Sequence, residues 1–285
     1  MQAKQLFKLL VLSAILTTFS GLAWAQTATR SLQQISGGLY RFQNNFHYSV
    51  VLVTDDGILV TDPINANAAQ WLKAELKKRF DKPIKYLVYS HDHVDHIAGG
   101  EVFDTATVIA HENAKSDIIG ERRPTRVPDI TFSDTMTIEL GGQVVELSYV
   151  GPSHSDNMIV MNFPAERVLF AVDFIPIKSL PWKTLTDAYL PQWIDTVRKV
   201  EAMDFETLIP GHGSPGDKSD VTAFRVYMEE LYAAVLGAAR DGQTLEQMQQ
   251  SIVLENYSGW HNYDKQFAQN IEGMYKQISL HRRGN

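Results

Sequence analysis

Tyr89 to Gly100 reads YSHDHVDHIAGG, with three histidines and two aspartates inside six consecutive residues, His91 to His96. Imidazole and carboxylate at that density are donors for a transition-metal ion. His91 and His93 stand two apart, so in an extended segment they lie on one side and can grip one ion together. Asp95 and His96 follow after the chain starts to bend, and can face a second ion nearby. Gly99-Gly100 permits a tight backbone turn. Asp92 and Val94 are the spacers, and Asp92 is expected to be exposed or to stand behind the ligands. So short a cluster cannot close a catalytic metal site alone. Three further candidates occupy comparable places: His154 in a loop after one strand, Asp173 at the end of another, and His212 in Gly-His-Gly after a third. Together they make five histidines and two aspartates at strand exits, which can converge on one rim of a sheet. Three protein ligands with an open position is the pattern of a catalytic ion. The chain has no cysteine, so imidazole and carboxylate must build any such site.

The elements that must position these residues follow from periodicity. Leu39 to Phe42, Ser49 to Thr54 and Gly57 to Thr61 read as strands, with Asp55-Asp56-Gly57 a turn. A helix is expected over Ala66 to Phe80 with Asn65 as N-cap, its apolar residues Ala69, Leu72, Leu76 and Phe80 three or four apart. Ile84 to Tyr89 is a buried strand that runs into the histidine cluster. A strand over Thr107 to Ala110 and a helix over Glu112 to Ile119 come next. Thr137 to Leu140 and Val144 to Val150 form a hairpin at Gly141-Gly142. Met158 to Phe163 and Val168 to Val172 form another. Pro191 to Met203 is helical, Thr207 to Pro210 is a strand, and helices follow over Val221 to Arg240, Leu245 to Ile252 and Asp264 to Leu280. Two β-rich stretches with outer helices predict an α/β fold: an αββα sandwich of two mixed sheets with a helical C-terminal extension.

Composition bounds the rest. The formal net charge is −7 over 285 residues, and no basic block favours nucleic acid. Residues 1–25 read as an export signal: Lys4 and Lys8, an apolar stretch from Leu9 to Phe19, then Ala23-Trp24-Ala25 as the cleavage pattern, cut after Ala25. Export to the periplasm or secretion is therefore expected, with no membrane association after cleavage. The expected division is 1–25 signal, 26–220 catalytic domain, and 221–285 helical extension packed on that domain. Nothing in the sequence sets the oligomeric state.

His91-x-His93-x-Asp95-His96, followed by a lone His, a lone Asp and Gly-His-Gly, resembles the metallo-β-lactamase-fold hydrolases in order and spacing from His91 to His212. The resemblance implies one ion held by His91, His93 and His154, a second by Asp95, His96 and His212, and Asp173 bridging the two. It implies that Asp62 braces the ligand loop. Val172 stands where the family usually has glycine before the bridging aspartate, a departure at the backbone. A carboxylate at Asp173 resembles the glyoxalase-II-like and lactonase-like branch, since the dedicated zinc β-lactamases generally lack one. The implied cofactor is two zinc ions, with iron or manganese as alternatives. The implied activity is hydrolysis of a small molecule: a lactone, thioester, β-lactam, or phosphate or sulfate ester. A water shared by two cations, its pKa lowered toward about 7, would supply hydroxide, and Asp95 would orient it. The same fold also carries iron-dependent sulfur oxidoreductases, and a catalytically silent metal-binding protein is a third reading.

Two sets of residues lie outside that pattern. The Pro-broken stretch Phe174 to Leu190 follows Asp173 and can wall a pocket, with Lys178, Trp182 and Lys183 as candidates for substrate contact. His47, His111, His261 and His281 read as core or surface histidines. Of these His47, between strands on the rim side, is the first to reconsider.

Overall fold

The computed structural model describes residues 28–186 and 188–281. The signal read over residues 1–25 lies outside them. A seven-stranded sheet runs in sequence order through β1 (Arg30–Ser36), β2 (Leu39–Asn44), β3 (His47–Val53), β4 (Ile58–Thr61), β5 (Ile84–Val88), β6 (Thr107–His111) and β7 (Ile130–Phe132). A five-stranded sheet contains β8 (Thr135–Leu140), β9 (Gln143–Tyr149), β10 (Ile159–Phe163), β11 (Val168–Phe170) and β12 (Thr207–Ile209), in spatial order β12-β11-β10-β9-β8. Both are mixed: β4, β5, β6 and β7 are parallel neighbours, as are β11 and β12, and the remaining pairs are antiparallel.

The period-2 alternation of the strands sends alternate side chains to two separate cores. Leu39, Val50, Leu52, Leu59 and Val88 meet Leu147, Met161, Phe170 and Val172 between the sheets. Phe42, Val51, Val60, Leu87 and Val108 point the other way, onto α1 (Ala66–Phe80). That helix begins where Asn65 accepts a hydrogen bond from the Ala68 amide, and it buries Ala68, Ala69, Leu72 and Leu76. Each of the two leucines contributes roughly 1.5–3 kcal/mol by leaving water. On the far side, Val160, Leu169, Ala171 and Leu208 pack on α4 (Gln192–Ala202), α5 (Lys218–Arg240) and α7 (Tyr263–Leu280), the latter two linked through α6 (Leu245–Ser251). The layers are helix, sheet, sheet, helix, with the C-terminal helices sharing the outer core of the second sheet. No helix among the described residues is long and apolar enough to cross a membrane.

Among the differences from the sequence reading are two boundaries near the site and two further strands. The long helix begins at Lys218, not Val221, because Asp217 and Asp220 form a reciprocal capping box at its start. The strand expected over Val168 to Val172 ends at Phe170, and the chain leaves the ladder before Asp173. The edge strand β1 and the short β7 have little apolar alternation to reveal them.

The strand exits place the site. β4 and β5 are parallel with Thr61 opposite Val88, so Asp62 and Ser90 leave the first sheet side by side. β11 and β12 are parallel with Phe170 opposite Ile209, so the segments carrying Asp173 and His212 leave the second sheet together. The Ile159 amide at the start of β10 donates to Ser90 O at 2.9 Å, which joins the two rims.

Candidate metal centre

Past β5 the chain turns through the one-turn helix α2 (Val94–Ile97), whose first hydrogen bonds run back to His93 O. The Ile64 amide donates to His96 O at 2.7 Å. Gly99 has φ +89°, and a Cβ there would lie 2.5 Å from Ala66 N, so only glycine lets this loop close onto the start of α1. Asp62 and Asp173 each hold φ +30°, a region seldom used by residues with a side chain. The positive φ falls on Asp173 itself, directly after the buried Val172.

The structure brings all seven candidate donors together in two quartets that share Asp173. One is His91, His93, His154 and Asp173; the other is Asp95, His96, Asp173 and His212; within each quartet the donor atoms lie within 4.8 Å of one another. His93 Nδ1 stands 3.1 Å from His154 Nε2, and His96 Nε2 stands 3.3 Å from His212 Nε2. Asp173 Oδ2 lies 3.6 Å from His91 Nε2, 3.0 Å from His96 Nε2 and 3.8 Å from His154 Nε2. Asp173 Oδ1 lies 3.3 Å from His212 Nε2.

Partners behind the ring decide which nitrogen faces inward. Ser90 Oγ donates to Asp62 Oδ2 at 2.7 Å and the Ser90 amide donates to Asp62 Oδ1 at 2.8 Å. With its only proton spent there, Ser90 Oγ accepts from His91 Nδ1 at 2.9 Å. His91 Nε2 is left as a bare lone pair, buried and without a hydrogen-bond partner, and Asp173 Oδ1 is buried and unbonded in the same way. His212 Nδ1 donates to Phe46 O at 3.0 Å, which turns its Nε2 lone pair inward by the same logic. Acceptors turned inward from histidine and carboxylate alone suit divalent cations.

Charge in the cluster is arranged to match. Burial, reinforced by the neighbouring His96 and His93, holds the His91 imidazole well below its usual range, so it is neutral and able to donate its lone pair. Burial opposes ionisation of Asp173, but His96, His212 and His91 outweigh it and hold the carboxyl well below the usual range. Burial also disfavours the Asp95 anion, and the hydrogen bond from His47 with the charge of His96 overcomes that, holding it at about 2. Burial would keep His96 neutral, yet Asp173 and Asp62 prevail and raise it well above the ordinary imidazole value. The pocket is negative enough to retain a positive charge.

Of its two expected places Asp92 takes the one behind the ligands, not the exposed one. It is buried, its Oδ2 accepting from Arg123 Nη2 at 2.8 Å and its Oδ1 from Asn157 Nδ2 at 3.0 Å, while its amide donates to Asn157 Oδ1 at 3.1 Å. It thereby fastens the His91–His93 segment to the loop that carries His154. His111 is buried and caps α3 (Glu112–Gly120), its Nδ1 accepting from the Asn113 amide and its ring stacked on Tyr149. Lys178, Trp182 and Lys183 lie on a segment whose backbone is fixed to α7: Asn270 Nδ2 donates to Pro181 O and Lys183 O, and the Lys183 amide donates to Gln266 Oε1. Lys178 pairs with Asp220 at 3.3 Å, and the Lys183 ammonium sits over the exposed Trp182 ring. These contacts of the three run to the tail or to each other. The segment touches the ligand loops at its end, where the Tyr189 amide donates to Ser153 O.

The family description "metallo-β-lactamase superfamily" matches residues 44–212, from the end of β2 to the last candidate donor. The alpha subunit of 2,4-dinitroanisole O-demethylase from Nocardioides sp. (strain JS1661) is 24% identical over 232 residues, covering 79% of this chain and 70% of that protein. A metallo-β-lactamase type 2 from Bacillus cereus is 23% identical over 207 residues, covering 68% of this chain and 80% of that protein. Among solved structures, a metallo-β-lactamase from Pontibacter korlensis superposes with TM-score 0.63 at 22% identity, covering 70% of this chain and 99% of that one. The chain belongs to the metallo-β-lactamase superfamily, and with that membership it is a metal-dependent hydrolase.

Proposed function

We propose that this protein is an exported hydrolase that works with two divalent ions, most simply zinc, on a small-molecule ester-like or amide-like bond. The observation that carries the two-ion reading is Asp173, a single buried carboxylate shared by two complete donor quartets. In this reading His91, His93 and His154 would hold one ion, Asp95, His96 and His212 the other, and Asp173 would be available to both. Ions held there would supply Lewis acidity and lower the pKa of a bound water. Asp95 is the ligand side chain most open to solvent, at 54% exposure, and it stays ionised, which suits its carboxylate to accept a hydrogen bond from an entering water and orient it. Asp62 keeps His91 in its donating tautomer through Ser90. Residues 26–220 would form the catalytic domain and 221–285 its helical extension.

A lactone, thioester, β-lactam, or phosphate or sulfate ester fits this chemistry, and the demethylase relative adds 2,4-dinitroanisole to the compounds to be tried. The test is metal quantification on the purified chain, followed by a panel of these substrates. Two ions per chain and turnover of one class are expected, and His93→Ala should lose metal and nearly all hydrolysis. One iron per chain with oxygen uptake would replace this reading by the sulfur-oxidoreductase one.

A further inference from the structure

We infer that His47, a member of neither donor quartet, is the positioning residue of the second: it holds Asp95 by a hydrogen bond at the oxygen that faces His96 and His212. The inference rests on the two-ion reading and deepens it.

His47 opens β3 at the rim, where an antiparallel bridge pairs it with His212. The Tyr48 amide donates to Gly211 O at 2.8 Å, so backbone and side chain of this strand start both lean on the Gly-His-Gly loop. The His47 imidazole then contacts every member of the second quartet except Asp173. Its Nε2 lies 3.3 Å from Asp95 Oδ2, its ring stands edge-on to His212 at 4.5 Å, and it lies 5.9 Å from the His96 ring. An ionised carboxylate only accepts, so Nε2 carries the proton and donates. The other nitrogens near Asp95 Oδ2 are His96 Nε2 at 3.7 Å and His212 Nε2 at 3.8 Å, and both would turn their lone pairs to the ion once it binds. His47 is then the donor left to fix a carboxylate that is otherwise half in solvent. Outer partners of this kind orient a ligand and set affinity.

Three substitutions separate the hydrogen bond from mere packing. His47→Phe keeps a ring against His212 but cannot donate. His47→Gln keeps a donor of similar reach without the ring. His47→Ala loses both. Cobalt(II) titration followed by visible absorption, with metal counts after gel filtration, reads each ion separately from activity. The parent chain should take two equivalents. Phe and Ala should keep the first and bind the second about 10–100-fold more weakly, and Gln should recover most of that loss. Phe matching the parent, or Gln as weak as Ala, overturns the role. A parent chain that takes only one equivalent overturns the two-ion reading instead, and the inference with it.

Discussion

The two halves of the cluster share Asp173 but are held in different ways. The His91, His93 and His154 half is locked from behind by buried side chains. Asp62 and Ser90 fix His91, and Asp92 with Asn157 ties its loop to that of His154. The other half is anchored at His96, which is wholly buried, but Asp95 is 54% and His212 41% exposed. Its outer supports come from the start of β3, the Phe46 carbonyl and the His47 ring. A metal ligand braced by buried groups loses little freedom on binding, whereas a solvated one must be ordered by the ion itself. The contrast predicts a tighter first ion and a more exchangeable second.

Asp173→Ala gives the largest effect, because it removes a donor from both halves. Both ions should be lost, with affinity falling by more than the roughly 10–100-fold expected of an outer partner. Retention of either ion at parent affinity, read by competition with a chelator, would show that the halves do not share this carboxylate. Ser90→Ala sharpens the comparison, since it removes the hydroxyl that accepts from His91 Nδ1 but leaves Asp62 in place 3.6 Å from His96 Nδ1. A loss of about 10–100-fold should fall mainly on the first ion, and a loss confined to the second would reverse the assignment.

Acidification tests the same contrast. Imidazoles bind metal only when neutral, so retention should fall as pH drops through the window in which they gain protons, first where His96 is held well above the usual imidazole range and last where His91 is held well below it. Asp95, held at about 2, stays ionised throughout that window and does not cause the loss. The solvated half should release its ion at the higher pH, as dialysis at stepped pH would show; simultaneous release would erase the distinction. The smallest effect on the site is expected from Asn270→Ala, far down α7. It strips hydrogen bonds from Tyr227, Pro181 and Lys183 inside the tail core, at a cost of about 1–3 kcal/mol in urea unfolding, with metal content unchanged. A change in metal content would tie the tail to the cluster.

The sequence was legible where local physics dominates. Asn65 and the apolar spacing after it mark α1 from Ala66 to Phe80, and the donors stand at strand exits that short β-branched runs announce. What escaped depends on contacts distant in the chain. Asp92 is buried because Arg123 and Asn157, 31 and 65 residues away, reach it, and no local pattern reports that. His47 is 48 residues from Asp95 and meets it through the bridge to His212. Its one signal was a place between two strands on the rim side. Gly211 is a similar case: a Cβ there would lie 2.5 Å from Val172 and 2.8 Å from Asp173 Oδ1, a constraint visible only after the second sheet is assembled. The segment of Lys178, Trp182 and Lys183 is another: the hydrogen bonds of Asn270 and Gln266 that fix its backbone to α7 come from more than 80 residues away in the chain.

The central claim is that scattered strand exits form one two-ion centre around Asp173. The most direct test is anomalous diffraction from crystals grown with zinc, with data on both sides of the absorption edge. Two peaks are predicted on either side of the Asp173 carboxylate, one about 2.0–2.2 Å from donors of His91, His93 and His154, the other at similar distances from Asp95, His96 and His212. A single peak, or peaks that leave Asp173 uncoordinated, would contradict the account.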